Sequence, residues 1–269
     1  MKAVFFRGKI LQKSFHYLII ARNWGKIGEM KLGFRVRRVA VAGLAVAVVA
    51  VAVILNPESY NKNFVEVEAT ADFSETEGAN ALEVLSRLEV KGRAPKTGYK
   101  RTEFYEDWPI IEGCSLRQRI IKREFGVSAK FLPGDDCTVV AGEFDEPYTG
   151  EHKVFSEKTE ISDGVQIDHV VALSDAWQKG AQNLSAEERY TLATDPLNLL
   201  AVDASANQKK SDGDAATWLP SNKKFRCQYV ARQIAVKYKY HLWVTSAEKE
   251  MMERILSYCP NQIAPGVEM

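Results

Sequence analysis

Residues 165–177, VQIDHVVALSDAW, and residues 195–220, DPLNLLAVDASANQKKSDGDAATWLP, decide how this chain folds. In the first, apolar and β-branched residues follow the turn-forming pair Asp163-Gly164, which predicts a strand over Val165–Leu173. In the second, Asp195-Pro196 ends any preceding helix, Leu197–Val202 reads as a short strand, and a helix is expected to start near Asp203. Between them, Ser185 and Glu188 stand at capping-box spacing and open a helix reaching about Thr194.

Upstream, residues 137–157, CTVVAGEFDEPYTGEHKVFSE, place two β-prone runs around the turn signal of residues 145–150 and predict a hairpin. Leu82, Leu85 and Leu88 recur at helical spacing until Pro95 and Gly98 break the pattern, and Ser115–Phe125 reads as a short helix. Downstream, a helix is expected over Lys224–Lys239, and Thr245 with Glu248 caps another.

The chain has 269 residues, 46% hydrophobic, 26% charged and 10% aromatic, which excludes a disordered tail, a collagen-like repeat and a multi-span membrane protein. Its net charge of +1 hides a division. Residues 1–55 carry ten basic groups and one acid, so the other 214 residues have a net charge of −8. The seventeen residues Val39–Leu55 hold no polar side chain and, at about 1.5 Å per residue, nearly span a hydrocarbon core of ~30 Å. Arg35, Arg37 and Arg38 just before this run predict export of the remainder of the chain. The run reads as a signal peptide or as an uncleaved signal-anchor helix. Met30-Lys31 offers a conventional signal start, while Ala50-Val51-Ala52 is only a weak cleavage site. The expected organisation is a basic segment 1–38, the apolar segment 39–55, an acidic linker 56–80 and a folded domain 81–269. A monomer is expected, tethered to the membrane through 39–55 if that segment is not cleaved.

All four cysteines lie beyond the apolar run, and none forms a C-x-x-C pair. In an exported domain they predict two disulfides. Of three connectivities, Cys114–Cys137 and Cys227–Cys259 are favoured because each closes a loop within one region.

Chemistry concentrates between Val165 and Trp218. Adjacent strand residues face opposite sides, so Asp168 and His169 serve different tasks unless the strand twists: one suits holding a metal, the other addressing a water. Asn198 on its own is a turn residue. Asn207, about one turn into the next helix, offers an amide oxygen to a hard metal, and Lys209 and Lys210 behind it suit a phosphate. Residues 205–240 add Lys223, Lys224, Arg226, Arg232, Lys237 and Lys239 against only Asp212 and Asp214. Such a basic concentration in an acidic domain suits a polyanion, or else forms the ordinary exposed face of two helices.

Taken in order, Asp-His on a strand, Asn at the entry to a second strand and Asn-x-Lys-Lys on a helix resemble the HNH endonuclease superfamily. Residues 165–177 and 195–220, with FRCQYVARQIAVKYKYHLWVT at 225–245, resemble more closely the C-terminal domain of GmrSD-type restriction enzymes, exported actinobacterial examples above all. The likeness spans roughly Tyr99–Glu253. It implies an α+β fold, with a ββα-metal (HNH, or His-Me finger) core embedded in a mostly helical domain that carries an additional β-hairpin. It also implies Asp168 and Asn207 as metal ligands, His169 as general base and Asn198 as the residue holding the strand–loop geometry. Lys209, Lys210 and, more weakly, Arg117 are the expected phosphate contacts. With Asn207 where many members carry His, the donors favour Mg²⁺ or Mn²⁺ over Zn²⁺. The implied activity is hydrolysis of phosphodiester bonds in DNA, with RNA not distinguished, and little sequence specificity. The alternative is a non-catalytic, membrane-tethered ectodomain that binds a polyanion or envelope polymer through its basic face, Trp218 and Trp243.

Overall fold

The computed structural model describes residues 77–269; the basic segment, the apolar run and the acidic stretch up to residue 76 lie outside them. The elements in order are β1 (Gly78–Asn80), α1 (Ala81–Arg87), β2 (Ile110–Ile111), β3 (Cys114–Ser115), α2 (Leu116–Phe125), β4 (Lys130–Phe131), β5 (Val139–Asp145) and β6 (His152–Phe155). Then come α3 (Lys158–Gly164), β7 (Val165–His169), α4 (Leu173–Gln178), α5 (Ala186–Thr194), β8 (Leu199–Asp203), α6 (Ala204–Lys210), α7 (Arg226–Lys239), α8 (Ser246–Leu256) and β9 (Ile263–Pro265). The fold is mixed α/β with several small sheets.

Local chemistry sets the helix boundaries. Ser115 caps α2, both partners of the Ser185/Glu188 capping box are present at α5, Asp203 caps α6, and Thr245/Glu248 box the start of α8. The expected hairpin is β5–β6, with Asp145 paired to His152.

The two central strands are shorter than the apolar pattern predicts. β7 ends at His169 rather than Leu173, because the main chain at Val170 and Val171 bonds to Asn198 instead of to a strand. β8 begins at Leu199 because Pro196–Asn198 forms a 3-10 turn. The pair is antiparallel, from Val165↔Asp203 to His169↔Leu199.

Two hydrophobic cores lie on opposite faces of this hairpin, which is why its residues are apolar on both sides. Val165, Ile167, Leu199 and Ala201 pack with Leu116, Ile120, Phe125, Phe144 and Phe155. Leu200 and Val202 face the larger core built from α1, α4, α5, α7 and α8. The helix α7 runs through that larger core, with Tyr229 to Lys237 all buried. β1 pairs with β9, Gly78 opposite Pro265. Gly78 (φ +155°) has no substitute here, since a Cβ would stand 2.1 Å from the Ala264 carbonyl oxygen.

Both favoured disulfides are present, Cys114–Cys137 and Cys227–Cys259. The second ties the start of α7 to the segment after α8, across 32 residues. Replacing Cys227 and Cys259 with Ser should cost about 3–4 kcal/mol by loss of loop-closure restraint, measured as a denaturation midpoint below that of the oxidised wild type.

Candidate active site

The turn after β7 is held by Asn198, which is fully buried. Its Oδ1 accepts from the Val171 amide at 2.8 Å, and its Nδ2 donates to the carbonyls of Val171 (3.4 Å) and Leu192 (3.2 Å). Its own carbonyl accepts from the Val170 amide at 2.8 Å. Below it, buried Arg232 donates to the carbonyls of Pro196, Leu197 and Leu199 at 2.6–2.9 Å. Arg123 reaches two of these, Pro196 and Leu199, from α2. Gln233 Nε2 holds the Val170 carbonyl at 2.9 Å, and Lys210 Nζ holds that of His169 at 2.8 Å. Side chains from three helices and a turn thus immobilise residues 169–171 and the 3-10 turn beside them.

Gln166 and Asp168 share one face of β7, and α6 crosses that face. Asn207 Nδ2 donates to Gln166 Oε1 at 2.9 Å. Three residues further along the helix, Lys210 Nζ donates to Asp168 Oδ1 at 2.9 Å. The other Asp168 oxygen accepts from the Tyr148 hydroxyl. Tyr148 arrives from the β5–β6 tip, where the buried Glu146 carboxylate accepts from the amides of Tyr148, Thr149 and Asp203. One acid therefore joins the hairpin tip to the start of α6. Burial raises the pKa of Asp168, opposed first by the Lys210 charge and then by the Tyr148 hydrogen bond.

His169 stands on the other side of β7. Its Nε2 donates to the Ala193 carbonyl at 2.9 Å, which leaves Nδ1 as the nitrogen with a lone pair. The ring stacks on Trp108, with centroids 6.1 Å apart and planes within 9°, and meets Tyr105 at 6.0 Å. Arg101 lies over Tyr105 and donates to its hydroxyl. Burial, then the Arg101 charge, lowers the His169 pKa to about 3, so the imidazole is neutral across the physiological range.

The structure thus brings Asp168, Asn207 and Lys210 to the α6 side of β7, and seats His169 in an aromatic recess on the other side. Asn198 brackets the strand end between them. Lys209 is exposed. Lys210 is turned inward onto Asp168, its side chain fully buried. Arg117 sits at the far end of β7 and donates to the Val165 carbonyl at 2.9 Å. The basic face expected over residues 205–240 needs correction. Lys210, Arg232 and Lys237 are buried, and Lys239 pairs with Asp195 at 2.7 Å. The three buried cations hold the interior together, and the exposed ones of this stretch are Lys209, Lys223, Lys224 and Lys239. Tyr148, Gln166, Tyr105 and Trp108 are site neighbours that the sequence does not single out. Only Tyr148 carries a signal, as a large aromatic inside a turn motif.

Among the described residues, no three of His, Cys, Asp and Glu gather as a metal-holding set; one carboxylate with one amide falls outside that count. No helix among them is long and apolar enough to cross a membrane, and the segment 39–55 lies outside them.

These elements define an α/β domain organised on a two-stranded hairpin crossed by a helix, with an acid, an imidazole and an amide at its end. The family model for the C-terminal domain of GmrSD restriction endonucleases matches residues 117–255, which include all of β7, β8 and α6. An uncharacterized secreted protein of Arthroderma benhamiae is 35% identical over 184 residues, covering 67% of this chain and 85% of that protein. No solved structure matches. The chain belongs to the GmrSD C-terminal domain family, whose function at family level is that of a nuclease.

The bracket and the recess can each be tested. Asn198→Ala should destabilise the protein by about 2–4 kcal/mol, since it strands buried main-chain groups, and chemical denaturation reads the loss. Folded His169 refuses a proton that the unfolded chain accepts below about pH 6.5, so its contribution to stability rises with pH between about 3 and 6.5. At pH 5 the deficit relative to pH 8 is about 2 kcal/mol. His169→Gln should shrink the wild-type difference between those two pH values by that amount, and a His169 NMR signal that titrates near pH 6.5 would contradict it.

Proposed function

We propose that this protein is an exported, divalent-metal-dependent endonuclease that hydrolyses phosphodiester bonds in nucleic acid, DNA above all, with an HNH-type ββα core formed by β7, β8 and α6. The observation that carries this reading is the crossing of α6 over β7, which brings Lys210 onto Asp168 and Asn207 alongside Gln166 on one face. Family membership supports the nuclease class. Two disulfides and a relative described as secreted support a location outside the cytoplasm.

Asp168 is engaged at both oxygens, Oδ1 by the Lys210 ammonium at 2.9 Å and Oδ2 by the Tyr148 hydroxyl, so a hard cation there would have to displace or share the Lys210 contact. Asn207 commits its nitrogen to Gln166, leaving the amide oxygen as a donor on the same side. Asp168 and Asn207 would hold a single Mg²⁺ or Mn²⁺, oxygen donors being what such ions prefer. Such an ion supplies charge neutralisation at the phosphoryl group and the leaving 3′-oxygen.

The chain's own residues do the rest. His169 is the base of this reading and would accept a proton at Nδ1, because Nε2 is committed to Ala193. It stands across β7 from Asp168 and Asn207, so water and substrate would have to meet it at the end of the strand. Trp108 and Tyr105 fix the plane of the ring. A base whose pKa lies near 3 is weak, chiefly through burial and next through the Arg101 charge. A phosphodiester anion beside it would offset only the second of these. Asn198 keeps the base and the acid at fixed separation through the turn it brackets, and Lys209 steadies the strand backbone from the rim of α6. Nothing in this set reads base edges, which favours low sequence specificity.

Plasmid nicking by the full-length protein, with and without EDTA, tests the reading. Activity should need a divalent ion. His169→Ala should abolish cleavage while keeping the fold by circular dichroism, and Asn207→Ala should shift the metal titration to higher concentration. Plasmid that is bound but never nicked under any divalent ion would leave the non-catalytic binding reading in its place.

A further inference from the structure

An open cavity of about 380 Å³ lies against the end of α6 and the 212–218 loop. Arg93, Lys209, Lys210, Asp212, Thr217 and Trp218 line it. Its size falls within the range of about 300–1,000 Å³ usual for small-ligand sites. Two side chains connect it to Asp168. Lys210 is shared between the cavity wall and the carboxylate. Tyr148, whose hydroxyl meets that carboxylate, packs edge-on behind Trp218 with centroids 4.9 Å apart.

The walls of the cavity differ in chemistry. Arg93 uses only Nη2 in its ion pairs, to Asp175 at 3.0 Å and Asp214 at 2.7 Å, and is one-third exposed. Behind it, Lys179 and Lys237 join Asp175, Asp214 and Glu248 in a buried network, so three cations face three carboxylates. The guanidinium is therefore fixed in place, while Nη1 and Nε make no hydrogen bond among the described residues. Lys209 stands exposed on the same rim. Asp212 is neutralised by Lys96 at 3.2 Å and accepts from Ser174 at 3.1 Å. Trp218 is half-buried, meets Tyr148 and Tyr229 in T-shaped contacts, the latter at 5.7 Å, and lines the cavity.

We infer that this cavity takes one unpaired nucleotide of the substrate strand, with its base on Trp218 and its phosphate between Arg93 and Lys209. The inference rests on the nuclease reading and narrows its substrate. An aromatic platform beside fixed cations is how single strands are held without regard to sequence. A base inside a duplex reaches such a cavity only by leaving its stack, at a cost that a single strand avoids. The enzyme should therefore prefer single-stranded, frayed or mismatched nucleic acid over intact duplex.

The test separates binding from cleavage. Full-length protein in EDTA is titrated by calorimetry with a deoxynucleoside 5′-monophosphate, with the deoxynucleoside alone and with inorganic phosphate. The monophosphate should bind about tenfold or more tighter than either part. Lys209→Gln should weaken the monophosphate and leave the deoxynucleoside unchanged. Trp218→Phe, which keeps a ring against Tyr148 and Tyr229, should weaken both. Equal affinity for phosphate and monophosphate, or no binding of the monophosphate, overturns the inference. So does a cleavage rate on duplex equal to that on the same sequence as a single strand. Nucleotide binding in this pattern by a protein that cleaves nothing would retain the cavity and remove the nuclease reading; cleavage without nucleotide binding would do the reverse.

Discussion

The site depends on the bracket that Asn198 makes across the open end of the β7–β8 hairpin. Asp168 and His169, adjacent and so directed to opposite faces, are the last two residues of the β7 strand. Asn198 stops it by offering its amide and carbonyl to Val170 and Val171, the positions where strand pairing would otherwise continue. The bracket is rigid because the carbonyls of the 3-10 turn are themselves occupied by Arg232 and Arg123. Two guanidinium groups, each with several parallel donors, satisfy carbonyls that a turn buried between two cores would otherwise leave without partners.

Charge buried inside this domain is organised, and it is almost all structural. Asp168, Asp175, Asp214, Glu248, Lys179, Lys210, Lys237 and Arg232 are all buried. Isolated, any one of them would be expensive; in pairs and networks they fix the relative positions of helices that apolar contacts alone would allow to slide. Charge compensation lowers the Asp214 pKa despite burial and raises that of Lys237, so both stay ionised. His169 is the contrasting case. It is buried without a carboxylate partner, against a pair of touching aromatic rings, and so remains neutral.

Much of the fold is legible in the sequence because its signals are local. Asp195-Pro196, the capping pairs at Ser185 and Thr245, the residues at the hairpin tip and the spacing of the cysteines each act within a few residues or within one loop. What escapes is non-local. A lysine that spans a core to reach an acid on another element has the same sequence signature as one on the surface, so Lys210 and Lys237 read as surface charge. Tyr148, Trp108 and Tyr105 reach the Asp168-His169 pair from loops 20 to 64 residues upstream in sequence, a distance over which no periodicity speaks. The strand ends escape for a related reason. Val170, Val171 and Leu197 are apolar enough for a sheet, and only the long-range Asn198 bracket removes them from one.

The pairing of β1 with β9 has a consequence for how such a domain can be deployed. Among the described residues the first and last strands are neighbours, Gly78–Asn80 paired with Ile263–Pro265, and meet along a single seam. A module with adjoining ends can be spliced onto, or into, another protein without either host strand having to cross the module's interior. The seam is also mutual: clipping the last seven residues, 263–269, would deprive Gly78–Asn80 of its partner and loosen the start of the domain from its far end.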